Sequence, residues 1–485
     1  MSAIWENTPM LPFFQSMTPK TQRNSRRELL RIGGLSTFGL SLEHLLNLKT
    51  PHAEATQPLN SQGFGQAKAC ILVYLFGGPS QLDTFDMKPD APRDFRGDFK
   101  PVSTNVPGID ICEHFKHLPL EMDQITVLRS MTHLHPRHGY GLYYMFTGRP
   151  HTRPDLDAPP TPDDFPGIGS LIAKLHPHRA DIPPAVTLPR WNRFLDLPND
   201  YAGEKAGFLG SAYDPWLIKS EPPNFNFHVE GIELPYGLTP ERLTQRQTLL
   251  SQLDRRIDAV PESSQNDQHR TLYEQAFALI SNSQTRQAFR LGQEPRSLRE
   301  RYGMHPMGQG LLLARRLVES GVRLVTVNWH NDGSDVKSPF WDTHKANFST
   351  LRNQLIPPFD QGLAALLKDL RLRGMLESTL VVVMGEFGRT PKIGRVVMNA
   401  ATDASGRDHW PHAFSILLAG AGIKGGHIHG ATDPRAAYVT ESPVTPPDLT
   451  ATLLHMLGIP PETTLMDRFG QPQVASTGTP VLSII

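Results

Sequence analysis

The amino-acid sequence predicts an α/β protein in which a mostly parallel sheet is flanked by helices and interrupted by a helical insertion. Three observations lead there. Continuous apolar runs of strand length recur along the chain, as parallel strands covered on both faces require. Between the C-terminal runs, apolar residues fall three and four apart, so strand and helix alternate. The first run stops abruptly at Gly77-Gly78-Pro79-Ser80, the kind of turn that ends a strand at a sheet edge.

Taken in order, Cys70 to Phe76 (CILVYLF) is the first strand and Ile125 to Leu128 a shorter one. The stretch from Thr152 to Asn226 is dense in proline and aromatic residues. It reads as irregular structure near the mouth of a site and as the source of substrate specificity. From Thr239 to about Tyr302, Leu243, Leu249, Leu250 and Leu253, then Leu272, Ala276, Leu279 and Ile280, give helical spacing with no strand between them. This is the expected insertion, packed on the sheet, with a protein-binding helix pair as the other reading. Leu311, Leu312, Leu317 and Val318 then form a helix stopped by Gly321, and Val322 to Trp329 is the next strand. Phe359, Leu363, Leu366, Leu367 and Leu370 repeat the pattern, with Gly374 past the helix end and Thr379 to Met384 as the strand that follows. Phe414 to Leu418 is another. Right-handed crossovers between such strands place the active edge at their C-terminal ends.

Composition narrows the function. The chain of 485 residues has 48 basic and 48 acidic side chains, so no net field recruits nucleic acid or an anionic membrane. Its two cysteines, Cys70 and Cys112, do not make a disulfide framework and read as unpaired thiols. No stretch is long and apolar enough to span a bilayer. Near the start, Ser25-Arg26-Arg27-Glu28-Leu29-Leu30-Arg31 resembles a twin-arginine export motif. A weakly apolar stretch, Ile32 to Leu42, and a small-x-small site at Ala53-Glu54-Ala55 follow it. An amphipathic helix with a basic start is the plainer reading of the same residues. The expected organisation is a signal and linker over residues 1–55, one α/β domain over 56–470 and a tail over 471–485, in a periplasmic or secreted protein.

Two strand ends offer a carboxylate beside an imidazole. One is Gly385-Glu386-Phe387-Gly388-Arg389 with Asp408-His409 further on, and the other is Asp342-Thr343-His344 on the loop after Val322 to Trp329. That combination is how an open α/β sheet builds a metal site, although Asp342 and His344 would equally cap a following helix.

Several blocks in order resemble the alkaline phosphatase and sulfatase superfamily, and within it an exported bacterial branch, the DUF1501 family. They are LFGGPSQLDTFDMKP from Leu75 to Pro89, HPRHGYGLYYMFTGRPHT from His135 to Thr152, WDTH from Trp341 leading to VVVMGEFGRT, DHWPHAFSILLAGAGIKGG from Asp408, and PDLTATLL from Pro447. The resemblance implies an alkaline-phosphatase-like fold and a divalent metal, zinc or else calcium, magnesium or manganese. Asp342, His344 and His409 would hold the principal ion, and Glu386 with Asp83 a weaker second position. It also exposes departures. Phe387 stands where a histidine is expected, Gly77-Gly78 where relatives carry aspartate, and His138 where they carry the nucleophile. His138 is then a ligand or a nucleophile, Ser80 the nearby hydroxyl, and Arg149 and Arg389 candidate clamps for a tetrahedral anion, with Asp86 and the cluster His133, His135 and His138 held open. The implied activity is hydrolysis of a sulfate or phosphate ester, small-molecule or glycan. The rival is a metal-bound binding or scaffold protein, for sulfated glycans among others, whose catalytic half has decayed.

Overall fold

The computed structural model describes residues 62–153, 159–176, 182–194, 199–219, 283–330, 340–399 and 401–485, with scattered positions between 239 and 252. The expected export signal over 1–55 and most of the expected insertion over 239–302 lie outside the described residues. Everything below concerns the unit Gln62–Ile485.

Eight strands form the main sheet. They are β1 (Ala69–Tyr74), β2 (Ile125–Met131), β3 (Ala185–Leu188), β4 (Trp216–Leu217), β5 (Leu324–Asn328), β6 (Thr379–Met384), β7 (Phe414–Ala419) and β8 (His427–His429). Their order across the sheet is β8-β2-β7-β6-β1-β5-β3-β4. β1, β5 and β6 are the continuous apolar runs, and every residue in them is buried. All neighbours pair in parallel except β7, which runs antiparallel to both β2 and β6. The mostly parallel α/β architecture expected from the sequence is therefore the one observed.

Side chains of β1 alternate between two cores, as the period of a strand demands. Ile71 and Val73 join one core with Leu311 and Leu317 of α3 (Pro306–Glu319) and Phe359 and Leu366 of α4 (Ile356–Leu372). Cys70, Leu72 and Tyr74 join the other with Leu142 of α1 (His138–Thr147), Leu171 of α2 (Ile168–Leu175) and Leu453 of α5 (Pro446–Met456). α3 opens with His305 Nδ1 accepting from Gly308 N at 3.1 Å. α5 opens with a capping box between Thr445 and Asp448.

Two expectations change. The region from Thr152 to Asn226 is not wholly irregular, since it contributes α2 and the sheet strands β3 and β4. The run Ala185–Leu188 is only four residues between Pro184 and Pro189, too short to show a period. The segment 471–485 is not a tail. Pro472–Val474 pairs with Thr464–Met466, and Ile484 and Ile485 are buried, so the domain continues to the last residue of the sequence. The described end of the insertion, with helices at Ser283–Ala288 and Arg296–Tyr302, packs on α3 and α4, and Phe289 just after the first of them meets Trp216 of β4 with ring centroids 5.5 Å apart, so it also touches the sheet edge. Tyr302 donates to Asp369 at 3.0 Å, and buried Arg315 pairs with Glu294 and Asp369. Cys70 and Cys112 are free and buried, and burial pushes both thiols up to about 12.

Register levels the strand ends that carry the site. Tyr74 lies opposite Asn328 of β5 on one side and Met384 of β6 on the other. The chains then stay together past the strands, with Leu75 N donating to Met384 O, Trp329 N to Tyr74 O and Trp341 N to Phe76 O at 2.7–2.9 Å.

Candidate metal centre

Four elements converge at that edge. His138 is the first residue of α1. Asp342 and His344 sit on the loop after β5, and His409 opens the short strand His409–Trp410, paired antiparallel with Gly388–Arg389 just beyond β6. Gly77 makes this approach possible. Its φ is +115°, and a Cβ there would lie 2.3 Å from Asp342 N, so no other residue allows the two loops to meet this closely.

His138, Asp342, His344 and His409 bring one ligating atom each within 4.8 Å of one another. Asp342 Oδ1 is the hub, 2.9 Å from His344 Nε2, 3.2 Å from His409 Nε2 and 3.4 Å from His138 Nε2, and the Nε2 atoms of His344 and His409 are 3.0 Å apart. A tetrahedron with bonds of about 2.0–2.1 Å has edges of roughly 3.3–3.4 Å, so the four spacings given lie near that edge, and the widest pair, within 4.8 Å, has to draw closer for one ion to take all four. The outward nitrogens agree. His138 Nδ1 is 2.6 Å from Glu386 Oε1, His409 Nδ1 is 2.5 Å from Pro136 O, and His344 Nδ1 is 2.8 Å from Thr402 Oγ1. With Nδ1–H directed at an oxygen, each imidazole turns its Nε2 lone pair inward, as metal-ligating histidines do. His138 Nε2 is buried and makes no hydrogen bond, an orphan that an ion at this point would satisfy. Three imidazoles and one carboxylate suit zinc and similar ions better than an all-oxygen cation.

Electrostatics follow from the same contacts. Burial works against ionising Asp342, but Arg389 and His138 outweigh it and hold the carboxyl well below its usual range. Burial also opposes charge on His138, yet Asp342 and Glu386 overcome it and push its pKa up to about 9, so without an ion this imidazole is protonated and an ion would have to displace the Nε2 proton to gain the lone pair. His409 goes the other way. Burial, with the charges of His138 and Arg389, drives it down to about 3, so it is a neutral imidazole at any working pH.

The structure gathers some of the sequence candidates and separates others. Asp342, His344 and His409 meet as expected, and His138 joins them as the third imidazole, in place of the one that Phe387 lacks. The Phe387 ring instead packs 4.6 Å from His409 and 5.0 Å from His138. Glu386 is not a member of the cluster. Its Oε1 accepts from Gly77 N at 2.9 Å and from His138 Nδ1, so it orients a ligand, while its Oε2 is buried without a hydrogen bond; among the described residues no second group of metal-ligating side chains gathers around it. Asp83 is committed elsewhere. It is fully buried and pairs with Arg407 Nε at 2.8 Å, while also accepting from Asn347 Nδ2 and Ser80 Oγ. Ser80 is buried with that hydrogen bond, and Asp86 pairs with Lys88 and Arg129. Arg149 donates to Val474 O and lies 4.8 Å over the Phe165 ring, a packing position rather than an anion clamp. Arg389, fully buried, donates to Gly77 O, Gly78 O and Asp342 Oδ1 and so fixes the hub carboxylate.

Sequence reasoning missed Arg407, Thr402 and the work of Asp408. Asp408 Oδ2 accepts from the amides of Val397, Met398 and Asn399 at 2.6–3.0 Å, and its Oδ1 lies 3.5 Å from His344 Nδ1. The Asp-His dipeptide at 408–409 was the available signal for Asp408. None pointed to Thr402.

A family model described as a protein of unknown function, DUF1501, matches residues 67–485. The chain belongs to the DUF1501 family. No curated protein matches it. Among solved structures, this DUF1501 protein is similar to the sulfatase PsFucS1 from Pseudoalteromonas sp., at 12% identity and a TM-score of 0.33, over 81% of this chain and 69% of that one. It is similar to the phosphonate monoester hydrolase SpPMH from Silicibacter pomeroyi, at 14% and 0.33, over 85% and 75%. It is also similar to an alkaline phosphatase from the Antarctic bacterium TAB5, at 13% and 0.30, over 77% and 96%. These are distant similarities, and the chemistry of the site rests on the chain's own residues.

Proposed function

We propose that this DUF1501 protein is a metal-dependent hydrolase of sulfate or phosphate esters, exported through a twin-arginine signal, with one divalent ion, zinc by its donor set, held by His138, Asp342, His344 and His409. The observation that carries the reading is the convergence of three inward Nε2 atoms on Asp342 Oδ1. A divalent ion supplies Lewis-acid stabilisation to a sulfuryl or phosphoryl oxygen and acidifies water. The chain's residues do the rest. Arg389 holds Asp342 in one orientation, Glu386 holds His138 Nε2 toward the centre, and burial keeps His409 neutral and able to donate its lone pair. Asp342 is the most exposed ligand, its side chain 16% accessible against 7–9% for the imidazoles, so substrate approaches over this residue.

The second reading, a binding protein with a metal-supported fold, is favoured by one observation. Four protein ligands already complete a tetrahedral set, as closed structural sites do. Metal-loaded protein tested on aryl sulfates, phosphate monoesters and phosphonate monoesters separates the two. The hydrolase reading expects turnover of one ester class that is abolished in Asp342→Asn. No turnover by protein that carries its metal would leave the binding reading.

A further inference from the structure

Beside the metal cluster, the same sheet edge opens into a cleft of about 610 Å³, within the size range of small-ligand sites. Its walls are the turns that leave three neighbouring parallel strands. Arg190 and Arg193 follow β3, Lys219 follows β4 and His330 follows β5, joined by Lys205 and by one acid, Asp200. Asp200 is already spent, paired with Lys205 at 3.0 Å. Glu204, the other nearby carboxyl, is buried and accepts from Asn192 N and Asn328 Nδ2 at 2.7 Å each. Arg193 and Lys219 therefore face the cleft with charge that no carboxylate among the described residues neutralises. In a chain with no net charge, the described residues thus gather a local excess of cations on the ligand-binding edge of the sheet.

The cleft and the cluster adjoin. Phe194, next to Arg193, places its ring 4.9 Å from the His138 ring. β5 serves both, sending His330 into the cleft and Asp342 and His344 into the cluster through the loop that follows.

We propose that this cleft is a subsite for a second anionic group of the substrate, so that the protein takes multiply anionic esters of oligosaccharide size rather than isolated monoesters. The inference rests on the hydrolase reading for the group at the metal, and adds what the rest of the substrate must carry. Sulfate and phosphate substituents would satisfy the same cations, by charge-assisted hydrogen bonds from Arg193 and point-charge attraction to Lys219.

The test uses the full chain loaded with metal and three probes in calorimetry: polysulfated maltohexaose, unsulfated maltohexaose and inositol hexakisphosphate. Polysulfated maltohexaose should bind and the unsulfated sugar should not. The double variant Arg193→Gln/Lys219→Gln should weaken the sulfated probe about tenfold, as loss of two charge-assisted contacts implies. It should leave inorganic phosphate binding at the cluster and the thermal midpoint unchanged. Tighter binding of inositol hexakisphosphate, with the same loss in the variant, supports the subsite and names phosphate as its source. Equal affinity for sulfated and unsulfated sugar, or an unchanged affinity in the double variant, overturns it. The two readings fail separately. Phosphate binding that survives Asp342→Asn would count against the metal-site chemistry while leaving the cleft result intact.

Discussion

Replacing Glu386 by glutamine tests how the third imidazole is held. Glu386 is fully buried, and its Oε1 takes both His138 Nδ1 at 2.6 Å and Gly77 N at 2.9 Å. A glutamine keeps the shape and one acceptor oxygen but loses the charge, so His138 is no longer drawn toward a carboxylate and its Nε2 becomes a poorer ligand. Losing an outer-shell partner of a metal-bound histidine typically costs about 10–100-fold in metal affinity, or roughly 1.4–2.7 kcal/mol. Competition against a chromophoric chelator reads this directly, with thermal unfolding as the check that the fold survives. His138→Ala, which removes the ligand itself, should cost more. Affinity within twofold of wild type in both variants would refute the assignment of His138 to the centre.

Other substitutions separate site from scaffold. Gly77→Ala forces a Cβ against Asp342 N at a φ of +115°, which costs about 1–2 kcal/mol for the conformation alone. It should lower both stability and metal content, measured together by denaturant unfolding and elemental analysis. Asp83→Ala strands buried Arg407 and should destabilise by about 3–5 kcal/mol while the purified protein keeps its metal. Arg149→Met should leave metal affinity and any turnover unchanged, because the guanidinium serves Val474 and Phe165. Glu204 supplies a pH dependence. Burial raises it from 4.5 to about 7 against the bonds from Asn192 and Asn328, so the folded state holds the proton more tightly than the unfolded chain. Its contribution is therefore fully present below pH 4.5 and lost as pH rises toward 7, by about 3 kcal/mol. Relative to wild type, Glu204→Gln should flatten the stability profile across that window in urea titrations, and parallel profiles would refute the assignment.

Much of the fold was legible because β1, β5 and β6 are buried on both faces and announce themselves as continuous apolar runs. The helices that precede β5 and β6 show clean helical spacing and end at Gly321 and Gly374, whose φ values of 109° and 66° suit only glycine well. β3 was hidden because four residues between prolines carry no period, and the reversed direction of β7 has no local signature. The ligands Asp342, His344 and His409 were readable from strand ends followed by carboxylate and imidazole. His138 was readable as a ligand or a nucleophile but could not be assigned to this ion, because its Nε2 reaches the centre only through the packing of α1 against Phe387 and the carboxylate of Glu386. Asp83 misled for the opposite reason. Its neutralising partner, Arg407, is far away in the chain, and nothing near Asp83 in sequence announces a buried ion pair.

Divalent-metal stoichiometry, by elemental analysis of protein purified folded and without chelators, tests the central claim most directly. The account predicts about one ion per chain in wild type, lost or strongly reduced in Asp342→Asn and His138→Ala and retained in Arg149→Met. Folded wild-type protein without metal after equilibration with zinc, or an ion that persists in both cluster variants, would contradict it.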